Sequence, residues 1–105
     1  MDKKETILKL LRNFKKRINK LYVPEKIIFF GSSATGKSRK DSDIDLIIVS
    51  KKFDGVSMLK RSPELYMKWD MDYPVDFLCY TPEEFEKKKK QVSIVRQAVK
   101  EGVEI

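Results

Sequence analysis

Two aspartates stand two residues apart in Asp43-Ile44-Asp45, at the head of the apolar run Leu46-Ile47-Ile48-Val49. Alternate side chains of a strand share a face, so both carboxylates point the same way. Like charges that close repel, and one would hold a proton unless a cation neutralised the pair. The sequence has no histidine and a single cysteine. That removes His-based triads, His metal sites and Cys clusters together. The cation suited to the remaining oxygen ligands is a hard divalent one, Mg²⁺ first. Asp76, within Val75-Asp76-Phe77, lies in another short apolar run and is placed to bring a third carboxylate beside the pair. Three carboxylates could serve one ion or two, and paired ions sit ~3.5–4 Å apart. A turn of solvated acids is the competing explanation of Asp41-Ser42-Asp43-Ile44-Asp45. It fits poorly with Asp45, which is flanked by Ile44 and Leu46, where an unpaired charge is expensive.

Upstream lies a polar stretch, Gly31-Ser32-Ser33-Ala34-Thr35-Gly36-Lys37-Ser38. It matches G-x-x-x-x-G-K-[ST], the phosphate-cradling P-loop pattern, and follows the apolar run Ile27–Phe30 as that motif should. A P-loop also needs a helix directly after Lys-Ser to hold the phosphates. Only Arg39, Lys40, Asp41 and Ser42 separate Ser38 from the next strand, and a helix needs about ten residues. The match is therefore read as coincidental. Gly31 and Ser32 still have chemistry that suits a phosphate: glycine admits close backbone approach, and the hydroxyl and free N–H groups can donate to phosphate oxygens. Lys37, Arg39 and Lys40 read as solvated loop cations.

Gly31-Ser32, ten intervening residues, then Asp43-Ile44-Asp45 forms the G-S-x10-D-x-D signature of the DNA polymerase β-like nucleotidyltransferase superfamily. The stretch Gly31–Leu46, GSSATGKSRKDSDIDL, resembles the small prokaryotic MNT-type (minimal nucleotidyltransferase) branch, with Thr35 where an arginine is usual. The leading helix, the strand around Asp76 and the Thr81-Pro82-Glu83-Glu84-Phe85 helix start look like that branch as well. The resemblance implies an α/β fold and transfer of a nucleoside monophosphate from a triphosphate, with ATP as substrate. It implies that Asp43, Asp45 and Asp76 are metal ligands and catalytic residues, with Asp76 activating the attacking hydroxyl, and that Gly31 and Ser32 hold the triphosphate. MNT-type proteins commonly pair as antitoxins with a helical HEPN-domain ribonuclease toxin, and members of the branch adenylylate a tyrosine on it. Neutralisation of a partner by binding alone is the alternative.

The elements that position these residues follow from periodicity. Ile7, Leu11, Phe14, Ile18 and Leu21 form one helical stripe, widened by Leu8 and Leu10 and stopped by Pro24. Lys26–Phe30, Asp43–Val49 and Val75–Tyr80 read as strands. Ser62-Pro63-Glu64 suggests an N-cap with proline at the first helical position. Thr81-Pro82-Glu83-Glu84 fits a capping box, with Tyr80 and Phe85 as its hydrophobic staple. The helix from there is expected to continue through Val92, Val95 and Val99 to Gly102, with Val103–Ile105 as an edge strand. The expected architecture is α/β (α+β): a small mixed sheet of three to four strands flanked by helices, one domain spanning residues 1–105.

The chain has 105 residues, 41% hydrophobic and 37% charged, with 23 Lys and Arg against 16 Asp and Glu for a net charge of +7. That balance favours anionic partners, yet direct nucleic-acid binding is not expected from charge alone without a recognition motif. The run Lys87–Lys90 reads as a solvated helix face. Trp69, Tyr66 and Tyr73 read as core or interface aromatics. No apolar run approaches the roughly 18 residues of a membrane span, and no signal peptide is expected. Cys79, unable to pair internally, reads as a buried, inert thiol in a reducing cytoplasm.

Overall fold

A computed structural model describes residues 3–36 and 43–105. The chain runs α1 (Lys3–Tyr22), β1 (Lys26–Phe30), α2 (Ser32–Thr35), β2 (Ile44–Val49), a 3₁₀ turn (Lys51–Phe53), α3 (Met58–Arg61), α4 (Pro63–Lys68), β3 (Val75–Tyr80), α5 (Pro82–Lys89), α6 (Ile94–Glu101) and β4 (Val103–Glu104). The four strands form one mixed sheet in the order β3-β2-β1-β4. β1 pairs antiparallel with β2 and β4, and β2 pairs parallel with β3. A parallel neighbour requires a crossover, which the 3₁₀ turn, α3 and α4 provide.

Strand alternation divides the interior into two cores. Ile44, Leu46 and Ile48 face one side with Ile27, Phe29, Phe77 and Cys79, under the stripe Ile7, Leu11, Phe14, Ile18 of α1. Phe14 meets Trp69 edge-on at 5.1 Å between ring centroids and stacks on Phe77 at 5.8 Å. Trp69 and Tyr73 pack against this core as expected. Tyr66 is half exposed but lies edge-on to Phe77, and its hydroxyl accepts the Phe77 N–H on the edge strand (3.3 Å). On the other side, Ile28, Phe30, Ile47, Val49 and Tyr80 pack under Phe85 of α5 and Val95 and Ala98 of α6. Asp45 and Asp76 have the parity of this second side.

Several expected boundaries shift. Asp43 precedes β2 rather than opening it. Leu21 is 46% exposed and Tyr22 takes the last core position of α1, because the Tyr22 hydroxyl reaches Glu64 of α4 at 2.9 Å. Ser62 is the N-cap of α4 with Pro63 at its first helical position, as expected, but it has helical backbone angles and caps with no side-chain bond; it is also the C-cap of α3, so the crossover is two short helices joined end to end. The long C-terminal helix is instead two. Lys90 ends α5, and Ser93 starts α6 by accepting the Arg96 N–H (3.2 Å) while donating to the Lys88 carbonyl (2.8 Å). That break leaves Val92 94% exposed and Val99 partly so, with Val95 and Ala98 carrying the core contact. The capping box at Thr81 and Glu84 forms as expected, with Tyr80 and Phe85 both buried beside it.

Candidate active site

The site is assembled where β1 ends and β2 and β3 begin, at one end of the sheet. Phe30 lies opposite Asp45 across the antiparallel pair, and Asp45 lies opposite Asp76 across the parallel one. Adjacent strands are about 4.8 Å apart, so the two carboxylates emerge side by side on one face. The Ile44 N–H donates to the Pro74 carbonyl (2.8 Å), which aligns the starts of β2 and β3.

Gly31 ends β1 with φ +82°, a left-handed conformation that favours glycine. A Cβ there would overlap the Asp45 Oδ2 oxygen. The absent side chain is thus the space that the carboxylate occupies. From Gly31 the chain turns into α2, whose Ala34 and Thr35 N–H groups both return to the Gly31 carbonyl (3.1 Å each). Ser32 is exposed at this turn, whereas Ser33 is buried and its Oγ donates to the Asp43 carbonyl (3.0 Å). That bond pins Asp43, which lies just outside the ladder, against α2. Sequence reasoning did not single out Ser33; its identity as one serine of a pair carried no signal until burial separated the two.

Burial first, then the charge of Asp76, then that of Asp43, push the Asp45 carboxyl above its ordinary value. Both other expected carboxylates, Asp76 and Asp43, are therefore close enough to be felt at Asp45. Among the described residues, no three acidic side chains converge tightly enough to form a ready metal cage. The donor set still suits Mg²⁺, which commonly takes one or two carboxylates and completes its octahedron with phosphate oxygens and water. Lys37, Arg39 and Lys40 lie outside the described residues.

Beside Asp45 opens a cleft of ≈170 Å³, bounded by Phe30, Gly31 and Asp45 on the sheet and by Ile94, Gln97, Ala98 and Glu101 of α6. Those four recur at i, i+3, i+4 and i+7, one face of the helix. Sequence reading missed this wall: Gln97 and Glu101 are exposed, and only the tertiary fold, which sets α6 beside Gly31 and Asp45, brings them to the cleft.

The comparisons agree with this geometry. A family model for the nucleotidyltransferase domain matches residues 11–105. The chain is 33% identical over 92 residues to the probable protein adenylyltransferase MntA of Haemophilus influenzae, covering 85% of this chain and 81% of that protein. It superposes on a crystal structure from Sulfolobus solfataricus, assigned as a nucleotidyltransferase, with TM-score 0.69 and 22% identity, over 96% of this chain and 80% of the other. A second assigned nucleotidyltransferase structure matches with TM-score 0.50 and 26% identity, over 79% and 87% of the two chains. With its Gly31 turn set against a carboxylate row at the ends of a mixed sheet, the chain belongs to the nucleotidyltransferase domain family, whose chemistry is nucleotidyl transfer.

Proposed function

We propose that the protein transfers AMP from ATP to a hydroxyl on a partner protein, with Asp43, Asp45 and Asp76 holding Mg²⁺. The carrying observation is the Asp45 carboxylate, seated where Gly31 lacks a side chain and coupled to two further carboxylates. Bound there, the metal would neutralise the triphosphate charge beside an otherwise repulsive carboxylate row. Gly31 leaves the backbone open to a phosphate, with the Ser32 hydroxyl beside it. Asp43 and Asp45 supply ligand oxygens, and Asp76 accepts the proton of the attacking hydroxyl. The acceptor oxygen then bonds to the α-phosphorus as the bond to the β-phosphate bridging oxygen breaks, and pyrophosphate leaves.

A protein acceptor is supported by the likeness to the MntA relative, named a probable protein adenylyltransferase, and by the motif resemblance to the MNT branch. We take the partner to be a helical HEPN-type toxin and the protein to be its cytoplasmic antitoxin. The buried free thiol of Cys79 is compatible with a reducing compartment.

The test is calorimetric titration with ATP in Mg²⁺ and in EDTA, followed by label transfer from α-labelled ATP to a purified HEPN-type protein. Mg²⁺-dependent binding and partner labelling, both lost in Asp45→Asn, are expected. The second reading is neutralisation by binding alone. It predicts that Asp45→Asn still silences the partner and that no label moves.

A further inference from the structure

Opposite its buried stripe, α1 carries a row of a different kind. Lys9, Arg12, Lys16 and Lys20 recur at three- and four-residue spacings, so they line up along the helix axis. At 1.5 Å per residue the row is about 16 Å long. All four are exposed, and none joins an ion pair or a side-chain hydrogen bond among the described residues. Exposed Asn13 and Asn19 accompany the row. A groove of ≈550 Å³ runs along its flank, lined by Arg12, Lys15, Lys16, Asn19 and Ile105. The Lys15 ammonium closes one wall by donating to the Ile105 carbonyl (2.9 Å). α1 covers the first core, so the row lies across the sheet from Asp45 and its cleft.

Unneutralised like charges at this spacing repel one another and do not stabilise the helix. Interfaces between proteins are depleted in lysine and centre on apolar anchors, whereas this row has neither acid nor apolar residue within it. Surfaces for nucleic acid are more polar and far more positive. Single strands are gripped by stacking on aromatic side chains, and the row carries none. A duplex offers one negative charge per ≈1.7 Å of axis, and its backbone is bound by Lys, Arg and Asn side chains without base contacts. We propose that the α1 row and its flanking groove bind the phosphodiester backbone of a nucleic-acid duplex, independently of sequence. A duplex held there leaves the cleft at Asp45 open.

The test is fluorescence anisotropy with a labelled 20-base-pair DNA duplex across a salt series. The wild type is compared with a variant carrying Lys9→Gln, Arg12→Gln, Lys16→Gln and Lys20→Gln. A control with Lys87, Lys88, Lys89 and Lys90 all changed to Gln removes the same formal charge from α5. Circular dichroism checks that each is folded. At 100 mM salt the α1 variant is expected to bind at least tenfold more weakly. The slope of log K against log salt should become shallower by about 3–4, at ≈0.9 per released contact, and the α5 control should stay near wild type. Absence of wild-type binding, or equal losses in the two variants, would overturn the proposal. Tighter binding of a 20-nucleotide single strand, or equally tight binding of polyglutamate, would overturn it as well. ATP binding at the carboxylate cleft is measured on the same variants and should not change, so this result stands or falls apart from the transferase assignment.

Discussion

The Asp45 carboxylate occupies the space that a side chain at residue 31 would fill, so Asp45 can hold this position only while residue 31 is glycine. Both the positive φ of Gly31 and the overlap penalise any other residue there. Gly31→Ala should cost about 1–3 kcal/mol and displace Asp45, weakening Mg²⁺-dependent ATP binding at least tenfold. Urea denaturation and calorimetry on the same preparation would show both losses. Unchanged ATP affinity would mean that Asp45 does not face the nucleotide.

Asp45 is held at a site that disfavours its charge. Burial and the neighbouring Asp76 and Asp43 raise its carboxyl above the ordinary value. A raised folded-state value means that the group favours folding below the unfolded pKa and loses that contribution as pH rises through the folded value. At neutral pH, without divalent cation, the charged group therefore opposes folding. Asp45→Asn should raise the melting temperature in EDTA while lowering transfer by about 10²-fold or more. Mg²⁺ should stabilise the wild type and leave the variant nearly unmoved. Thermal melts in EDTA and Mg²⁺ check both signs.

Arg61 is 6% exposed and ties three elements together. Its Nε donates to the Val56 carbonyl (2.8 Å), and Nη1 donates to the Cys79 carbonyl (3.2 Å) and to Glu84 Oε1 (2.5 Å), with Nη2 on Glu84 Oε2 (3.2 Å). The Arg61 bond holds the Glu84 carboxyl down at about 2, helped by the capping bonds with Thr81. Because the folded value is depressed, its contribution is present above the ordinary carboxylate range and is lost as pH falls toward 2. Glu84→Gln should flatten stability between about pH 4.5 and pH 2. Arg61→Ala should cost more, about 3 kcal/mol, since it strands buried carbonyls as well as the carboxylate. Chemical denaturation from pH 2 to 7 measures both.

Cys79 is buried and its thiol is pushed up to about 12 by burial, against a smaller opposing pull from Arg61. The thiolate is the reactive form, so native protein at pH 8 should react with a disulfide reagent only as fast as it opens. Full reactivity should appear in urea. Prompt native labelling would refute the burial.

How much of this was legible beforehand differs from element to element. Asp43 and Asp45 stood out because strand alternation is a local rule that spacing expresses directly, whereas the roles expected of Asp76, Gly31 and Ser32 came from the resemblance of the motif to a known family. The α1 stripe and the Thr81–Glu84 capping box were legible locally as well, as neighbours a few residues apart satisfy one another. The division of the C-terminal helix at Lys90–Ser93 was not, because no proline or glycine marks it and a lone serine cap competes only weakly with helix propensity. Nor was the placement of α6 beside Asp45, which depends on Val95 and Ala98 docking on a sheet whose order, β3-β2-β1-β4, no local pattern specifies. Sequence alone thus determined which residues are the candidates for the chemistry. Tertiary structure decided that Asp76 stands opposite Asp45, that Ser33 rather than Ser32 pins Asp43, and that Gln97 and Glu101 wall the cleft. Those relationships join residues distant in sequence, and burial of two separate cores is what brings them together.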